Sequence, residues 1–232
     1  RFALRPNRYI EIGASRLLHF GGKGRDESVS TFWSIFRGQR ESPGNPPKGN
    51  GEASIDAKIF LPYLIQPAVL YGEWGGEDVS RGFIFTRHAW LGGVFLPSIG
   101  PFRMADLRVE YGTTLTNESG VWYQHPQYPS RYNGQILGHP MGTDARDLFL
   151  EARLFIDPSS YLELNFDRTT RSYPGPAREE RKRITGGLVA WLTRNVRVEG
   201  TAAYDRFSDE GGVPGRDGSI KSIELSAAYQ YR

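Results

Sequence analysis

The strongest pattern along the chain is an alternation of apolar and polar residues in its C-terminal third. From Leu148 the even positions read Leu148, Leu150, Ala152, Leu154 and Ile156, while Phe149, Glu151, Arg153 and Phe155 hold the odd ones. A period of two puts each set on its own face of a β-strand. After Asp157-Pro158-Ser159-Ser160, a turn by composition, Leu162, Leu164 and Phe166 alternate with Glu163, Asn165 and Asp167, which predicts a hairpin. The row Ile184, Gly186, Leu188, Ala190 and Leu192 is followed by a reversal at Arg194-Asn195. Val196, Val198, Gly200, Ala202 and Tyr204 answer it, against Arg197, Glu199, Thr201 and Asp205. The last strand sets Ile223, Leu225, Ala227, Tyr229 and Tyr231 against Glu224, Ser226, Ala228, Gln230 and Arg232.

Upstream the alternation is noisier. Ala105, Leu107, Val109 and Tyr111 face away from Asp106, Arg108 and Glu110, and Ile55, Ala57, Ile59 and Leu61 alternate with Asp56, Lys58 and Phe60. Tyr9 to Phe20, Ala68 to Gly76 and Arg87 to Pro97 read as further strands. The total is about ten or eleven strands, joined alternately by short turns and long polar loops, the layout of an outer-membrane barrel. Gly38 to Gly51, Tyr173 to Lys182 and Ser208 to Gly218 are the long loops. One segment has helical spacing: Val29, Phe32, Trp33 and Phe36, capped by Ser28 or Ser30 and stopped by Gly38. It reads as a loop helix that covers an edge, or folds into a barrel mouth.

A soluble β-sandwich also alternates and also carries frequent turn signals. The apolar rows here mix Gly and Ala with Leu and Val, end repeatedly in Tyr or Phe, and run for about 9 to 12 residues, beyond the usual soluble strand. These features favour an all-β, transmembrane antiparallel barrel over the sandwich. A helical membrane protein is excluded, since the longest apolar segment, Ile59 to Tyr71, is broken by Pro62, Gln66 and Pro67. The polar mean hydropathy of -0.49 is no obstacle to a barrel whose strands are polar on alternate positions.

Composition narrows the chemistry. With 29 basic and 26 acidic residues the net charge is +3, too balanced for a nucleic-acid binder. The absence of Cys removes disulfides, thiol nucleophiles and Cys-ligated metals, and no cofactor is expected. The 28 Gly and 15 Pro fit a chain that reverses direction often. Arg1 opens the chain without an initiator Met or a signal peptide, so a mature protein or a fragment is expected. Gly21-Gly22-Lys23-Gly24 lacks the spacing of a phosphate-binding loop and reads as a turn. Asn117-Glu118-Ser119 reads as a polar loop. His125, His139, Asp144 and Arg146 could suggest a metal or proton-relay cluster, but no HExxH or G-x-S-x-G pattern accompanies them. Asp144 and Arg146 are expected to form at most a local ion pair, with His139-Pro140 a strand end entering a turn.

Of the 29 basic residues 24 are Arg, whose planar fork suits carboxylate and phosphate. Acidic sugars and lipopolysaccharide phosphates are therefore fitting partners. Candidate glycan contacts are Arg25, Trp33, Trp122, Tyr123, Tyr128, Arg131 and Tyr132, because aromatic faces stack on sugar rings while Arg fixes carboxylates. His139, Asp144 and Arg146 join that candidate set. A membrane-interface girdle is the competing explanation for the aromatics.

Two ordered stretches carry a family resemblance. Glu11-Ile12-Gly13-Ala14-Ser15-Arg16, then Gly21-Gly22-Lys23-Gly24-Arg25 and Ser30-Thr31-Phe32-Trp33, form the first. The second is Tyr123-Gln124-His125-Pro126-Gln127-Tyr128 followed by Arg131 through Arg146, with Asn133-Gly134-Gln135 and Gly138-His139-Pro140-Met141-Gly142-Thr143 inside it. Both resemble the Wzi capsule-assembly family. The resemblance implies a bacterial outer-membrane β-barrel, lectin-like and without catalysis, that helps hold capsular polysaccharide at the cell surface. Family members are about twice as long, with about eighteen strands and an N-terminal helical region. Residues 1–232 would then be a single barrel domain corresponding to the C-terminal part of a longer chain, or a shortened relative. Outer-membrane strands commonly finish on an aromatic, whereas this chain stops at Arg232. Two other functions remain open. In a porin-like channel Asp106, Arg108, Glu110, Glu151, Arg153, Glu163 and Asp167 would tune ion passage, and in an outer-membrane hydrolase His139 would be required.

Overall fold

The computed structural model describes residues 1–37, 49–62, 65–77, 87–100, 104–115, 122, 128, 131–132, 135–136, 138–172 and 177–229. Strands β1 (Phe2–Asn7) and β2 (Ile10–Phe20) precede a helix, α1 (Val29–Phe36). Then come β3 (Gly49–Leu61), β4 (Ala68–Glu77), β5 (Arg87–Ile99) and β6 (Ala105–Thr113). A two-residue ribbon, β7 (Arg131–Tyr132) with β8 (Gln135–Ile136), interrupts the series. The chain closes with β9 (Ala145–Asp157), β10 (Ser160–Ser172), β11 (Arg178–Trp191), β12 (Val196–Ser208) and β13 (Gly218–Tyr229). Apart from the ribbon, all strands form one 11-stranded sheet in sequence order, as the alternation predicts.

Burial separates the barrel from the sandwich. Among the described residues the buried apolar side chains are few and mostly small: Ile35, Ala53, Ala68, Met141, Ala145 and Ala203. Buried polar ones include Asp106, Asp147, Glu151, Glu179 and Asp205. The large apolar residues of the expected oily rows are open, with Ile184 49% exposed, Leu154 51% and Leu164 58%, whereas the end strand β13 is exposed on both faces. A sandwich would bury those rows in its core; here the polar face is the covered one.

The residues gather into two compact units, one of Arg1–Ile59, Tyr71–Leu91 and Gly112–Ala145, the other of Phe60–Leu70, Gly92–Tyr111 and Arg146–Arg232. In the second unit, Leu162 pairs with Leu188, Leu188 with Gly200 and Gly200 with Leu225, a rung of the oily face. The opposite face is cross-linked by charge. Arg153 donates to Glu163 at 2.8 Å and reaches Glu151 at 3.0 Å, Arg108 meets Glu110 at 2.6 Å, and Arg171 meets Glu179 at 3.4 Å.

Several expectations change. Phe2–Asn7 forms β1, which the alternation did not reveal; it pairs Phe2 with Ala14 and Leu4 with Ile12. Strand β11 begins at Arg178, inside the stretch expected to be loop up to Lys182. Its opening residues Arg178 to Lys182 carry no apolar row and are held by cross-strand charge: Arg168 on Glu180, Arg171 on Glu179 and Arg181 on Asp205. Strand β3 starts at Gly49, so the expected loop to Gly51 is shorter, and residues 38–48, with Gly38, lie outside the described residues. Ser28 rather than Ser30 caps α1, accepting from the Thr31 N–H at 3.2 Å. Asn117 to Ser119 and Gln230 to Arg232 also lie outside the described residues.

Candidate functional site

The first unit carries a cleft on the polar face of its strands. The unbroken register of β2 with β3 pairs Gly13 with Asp56, Ser15 with Ser54 and Leu17 with Glu52, so these residues share one face. The Asp56 carboxylate lies over Gly13, where a Cβ would come within 2.2 Å of it, and is held by Arg1 at 2.5 Å. Farther along this face opens a cleft of about 330 Å³, floored by Ser15, Leu17, Glu52, Ser54 and Glu73. Gly75 of β4 makes room for that floor: a Cβ there would stand 2.9 Å from Ser54 Cβ and 3.0 Å from the Ala53 carbonyl oxygen. Trp122 and the turn Gly138–Thr143 also line the cleft.

The turn is built from local chemistry. Gly138 and Gly142 take φ of 95° and 74°, left-handed values that favour glycine. The Gly142 N–H donates to the His139 carbonyl at 3.0 Å, and the Met141 N–H donates to His139 Nδ1 at 3.3 Å. Nδ1 is thus used as an acceptor within the turn. Buried Thr114 clamps the turn to the end of β6. Its N–H donates to the Ala145 carbonyl at 2.9 Å, its hydroxyl donates to the Gly142 carbonyl at 2.9 Å, and the Ala145 N–H donates to that hydroxyl at 3.0 Å. Met141 lies against Gly112, where a Cβ would be 3.0 Å from its Cε.

The surface lining the cleft is mostly apolar, with Leu17, Trp90, Leu91 and Met141 among its members, and Glu52, Glu73, Ser15, Ser54, Thr114 and Thr143 supply polar groups. Glu52, Glu73 and His139 are the ionisable side chains among the described residues around the cleft, and none of these residues is Lys or Arg. Glu52 lies 3.7 Å from His19 Nε2. Among the described residues no group of three or more His, Asp or Glu could hold a metal ion. Carboxylates and serine hydroxyls beside an indole can accept from, donate to and stack against a hydroxylated ring.

The predicted residues are only partly brought together. Trp122 and His139 line the cleft. Arg25 and Tyr128 meet elsewhere, with the guanidinium 4.4 Å from the ring centroid and the Tyr128 hydroxyl donating to the Gly21 carbonyl at 3.3 Å. The glycine-rich segment beside them is a turn, as expected: Arg25 N–H donates to Gly22 O at 2.9 Å, and the Glu27 carboxylate accepts from Gly22 N–H at 3.0 Å. Trp33 sits on α1, edge-on to Phe32 and Phe36. Asp144, at φ 53°, has its carboxyl pKa raised by burial, and no ion pair joins it to the exposed Arg146 among the described residues. Arg131 and Tyr132 form β7, while Tyr123, like His125, lies outside the described residues. Ser15, Glu52, Ser54, Glu73 and Thr114 were not legible as site residues, because they come from separate strands and carry no local motif.

Residues 1–218 match the sequence profile of the family described as capsule assembly protein Wzi. The chain belongs to the Wzi capsule assembly family. Both resemblance stretches fall inside that match. A solved Escherichia coli Wzi, described as an outer membrane protein involved in group 1 capsule assembly and a carbohydrate-binding β-barrel, matches with a TM-score of 0.75 at 25% identity. The match covers 97% of this chain and 49% of that Wzi chain. A Klebsiella pneumoniae protein described as an uncharacterized 55.8 kDa protein in the cps region is 39% identical over 95 residues, 40% of this chain and 19% of that protein. The chain thus spans about half the length of the solved Wzi and less of the Klebsiella relative.

Proposed function

We propose that this chain binds capsular polysaccharide without transforming it, with the cleft over β2, β3 and β4 as a sugar-contacting surface. The observation that carries the reading is an indole, Trp122, set beside serine hydroxyls and two carboxylates in one cleft of the barrel's polar face. Those acceptors suit the hydroxyls of an uncharged sugar residue, and with no Lys or Arg among the described residues lining the cleft an acidic residue would be held by Arg outside it. His139 supports binding rather than hydrolysis, because its Nδ1 is used to hold the turn. Residues 1–232 belong in this reading to one barrel domain, whose oily rows meet outer-membrane lipid and lipopolysaccharide.

The test uses the full-length protein and capsular polysaccharide purified from its own host. Trp122→Ala should weaken binding about tenfold or more, a stacking contribution of about 1.4 kcal/mol or above. Glu73→Gln should weaken it less, and both variants should retain the heat-dependent gel mobility of a folded barrel. Wild-type affinity in both would overturn the cleft as the site. A wide, steady conductance in planar bilayers would favour a porin, and release of reducing ends from the polysaccharide would favour a hydrolase.

A further inference from the structure

The oily face of the first unit does not end where its large aliphatic residues end. The register that puts Gly13, Ser15 and Leu17 on the polar face puts Ile12, Ala14, Arg16, Leu18 and Phe20 on the opposite one, with Ile55, Ala53, Gly51 and Gly49 across from them. Helix α1 is seated on this second, lipid-facing side. A Cβ on Gly49 would meet Ile35 Cδ1 at 2.4 Å, and one on Gly51 would meet Ile35 Cγ2 at 3.5 Å, so the two glycines form the groove the helix occupies. Phe20 stands edge-on to Phe32 at 5.6 Å. Thr31 and Ile35 are buried against the wall, whereas Val29 is 72% exposed and Trp33 49% exposed on the far side with Phe36.

We propose that α1 is an interfacial helix, lying outside the barrel wall and placing Val29, Trp33 and Phe36 into the headgroup boundary of the outer leaflet. Two observations fix the depth. Strand β3 has 13 residues, about 30 Å along the membrane normal at a tilt near 40°, so its Gly49 end falls at the rim of an apolar band about 25 Å tall. That end connects to the long 21–48 segment, the kind of connection that faces the cell exterior. Arg16 gives the second observation. A charge on the lipid-facing row is tolerated near the boundary and not at the midplane, and this one donates to the Ile35 carbonyl at 3.0 Å with its guanidinium 5.5 Å over the Phe36 ring. The occupant of the exposed helix face is therefore lipid, continuous with what covers Ile12 and Ile55.

Residues 1–232 hold no Cys, so with any Cys outside them replaced by Ser, single-cysteine spin labels in the full-length protein can read the environment directly. Val29→Cys and Trp33→Cys would be labelled and reconstituted in vesicles of phosphatidylethanolamine, phosphatidylglycerol and lipopolysaccharide. Ile12→Cys serves as the lipid reference and Ser159→Cys as the water reference. The expected result is collision with oxygen over a nickel chelate, as at Ile12→Cys. A label at 29 or 33 that meets nickel as readily as Ser159→Cys would overturn the proposal, and one shielded from both quenchers would too, since protein would then cover the helix. Brominated lipid offers a check without labels: Trp33→Phe should lose part of the fluorescence quenching, and an unchanged quenching would count against the proposal.

Discussion

Asp144 enters β9 in a left-handed conformation, with its carboxyl partly removed from water. Burial disfavours its charged form, so the folded protein holds that proton more tightly than the unfolded chain does. Its contribution to stability is best at acid pH and is lost as pH rises from the ordinary carboxylate range through the raised value. Asp144→Asn, which tolerates the same backbone, should remove this decline. Urea midpoints measured from about pH 4 to about pH 8 check it: the variant should gain on the parent toward the alkaline end. At Gly75 the issue is space. Gly75→Val should crowd Ser54 and narrow the cleft, lowering polysaccharide affinity more than it lowers the unfolding midpoint.

Elements depend on such contacts at their ends. Thr114 is the clasp between β6 and the cleft turn, and Thr114→Val leaves the Ala145 N–H and the Gly142 carbonyl without that partner in a buried place. The expected cost is about 1–3 kcal/mol, felt locally, and amide exchange at Ala145 should accelerate before exchange in β10 or β11 does. Ser28→Ala removes the cap of α1 and should cost about 1 kcal/mol of local stability. The elements themselves were readable to differing degrees. Strands β10, β12 and β13 stood out because they carry an apolar residue at nearly every second position. The start of β11 did not, because Arg178 to Lys182 is held by acids and bases of neighbouring strands, a relation between distant residues rather than a pattern within one. The helix was visible through its 3.6-residue spacing and its serine cap.

For the whole molecule, the deciding quantity is what the oily rows touch. Leu164→Arg would place a charge on the lipid side and should cost about 2–4 kcal/mol near the midplane, read as a shift in urea-dependent folding into vesicles. Glu163→Gln, one position away on the charged face, should cost less and instead weaken its link to Arg153. Recovery of a folded monomer without detergent would contradict lipid as the covering of Leu164, Ile223 and Leu225.

The alternation alone determined the all-β class, a count of about ten or eleven strands and which residues form the faces of the regular ones, because a two-residue period is written into such a strand regardless of its neighbours. The two ordered stretches from Glu11 and from Tyr123 carried the family. Only the tertiary structure decided that Ser15, Ser54, Glu52 and Glu73 line one cleft with Trp122, that Arg25 turns to Tyr128 instead, and that α1 rests on the oily side of Gly49 and Gly51. Those are outcomes of strand register and loop path, which bring together residues far apart in the chain, and no local pattern encodes such a meeting.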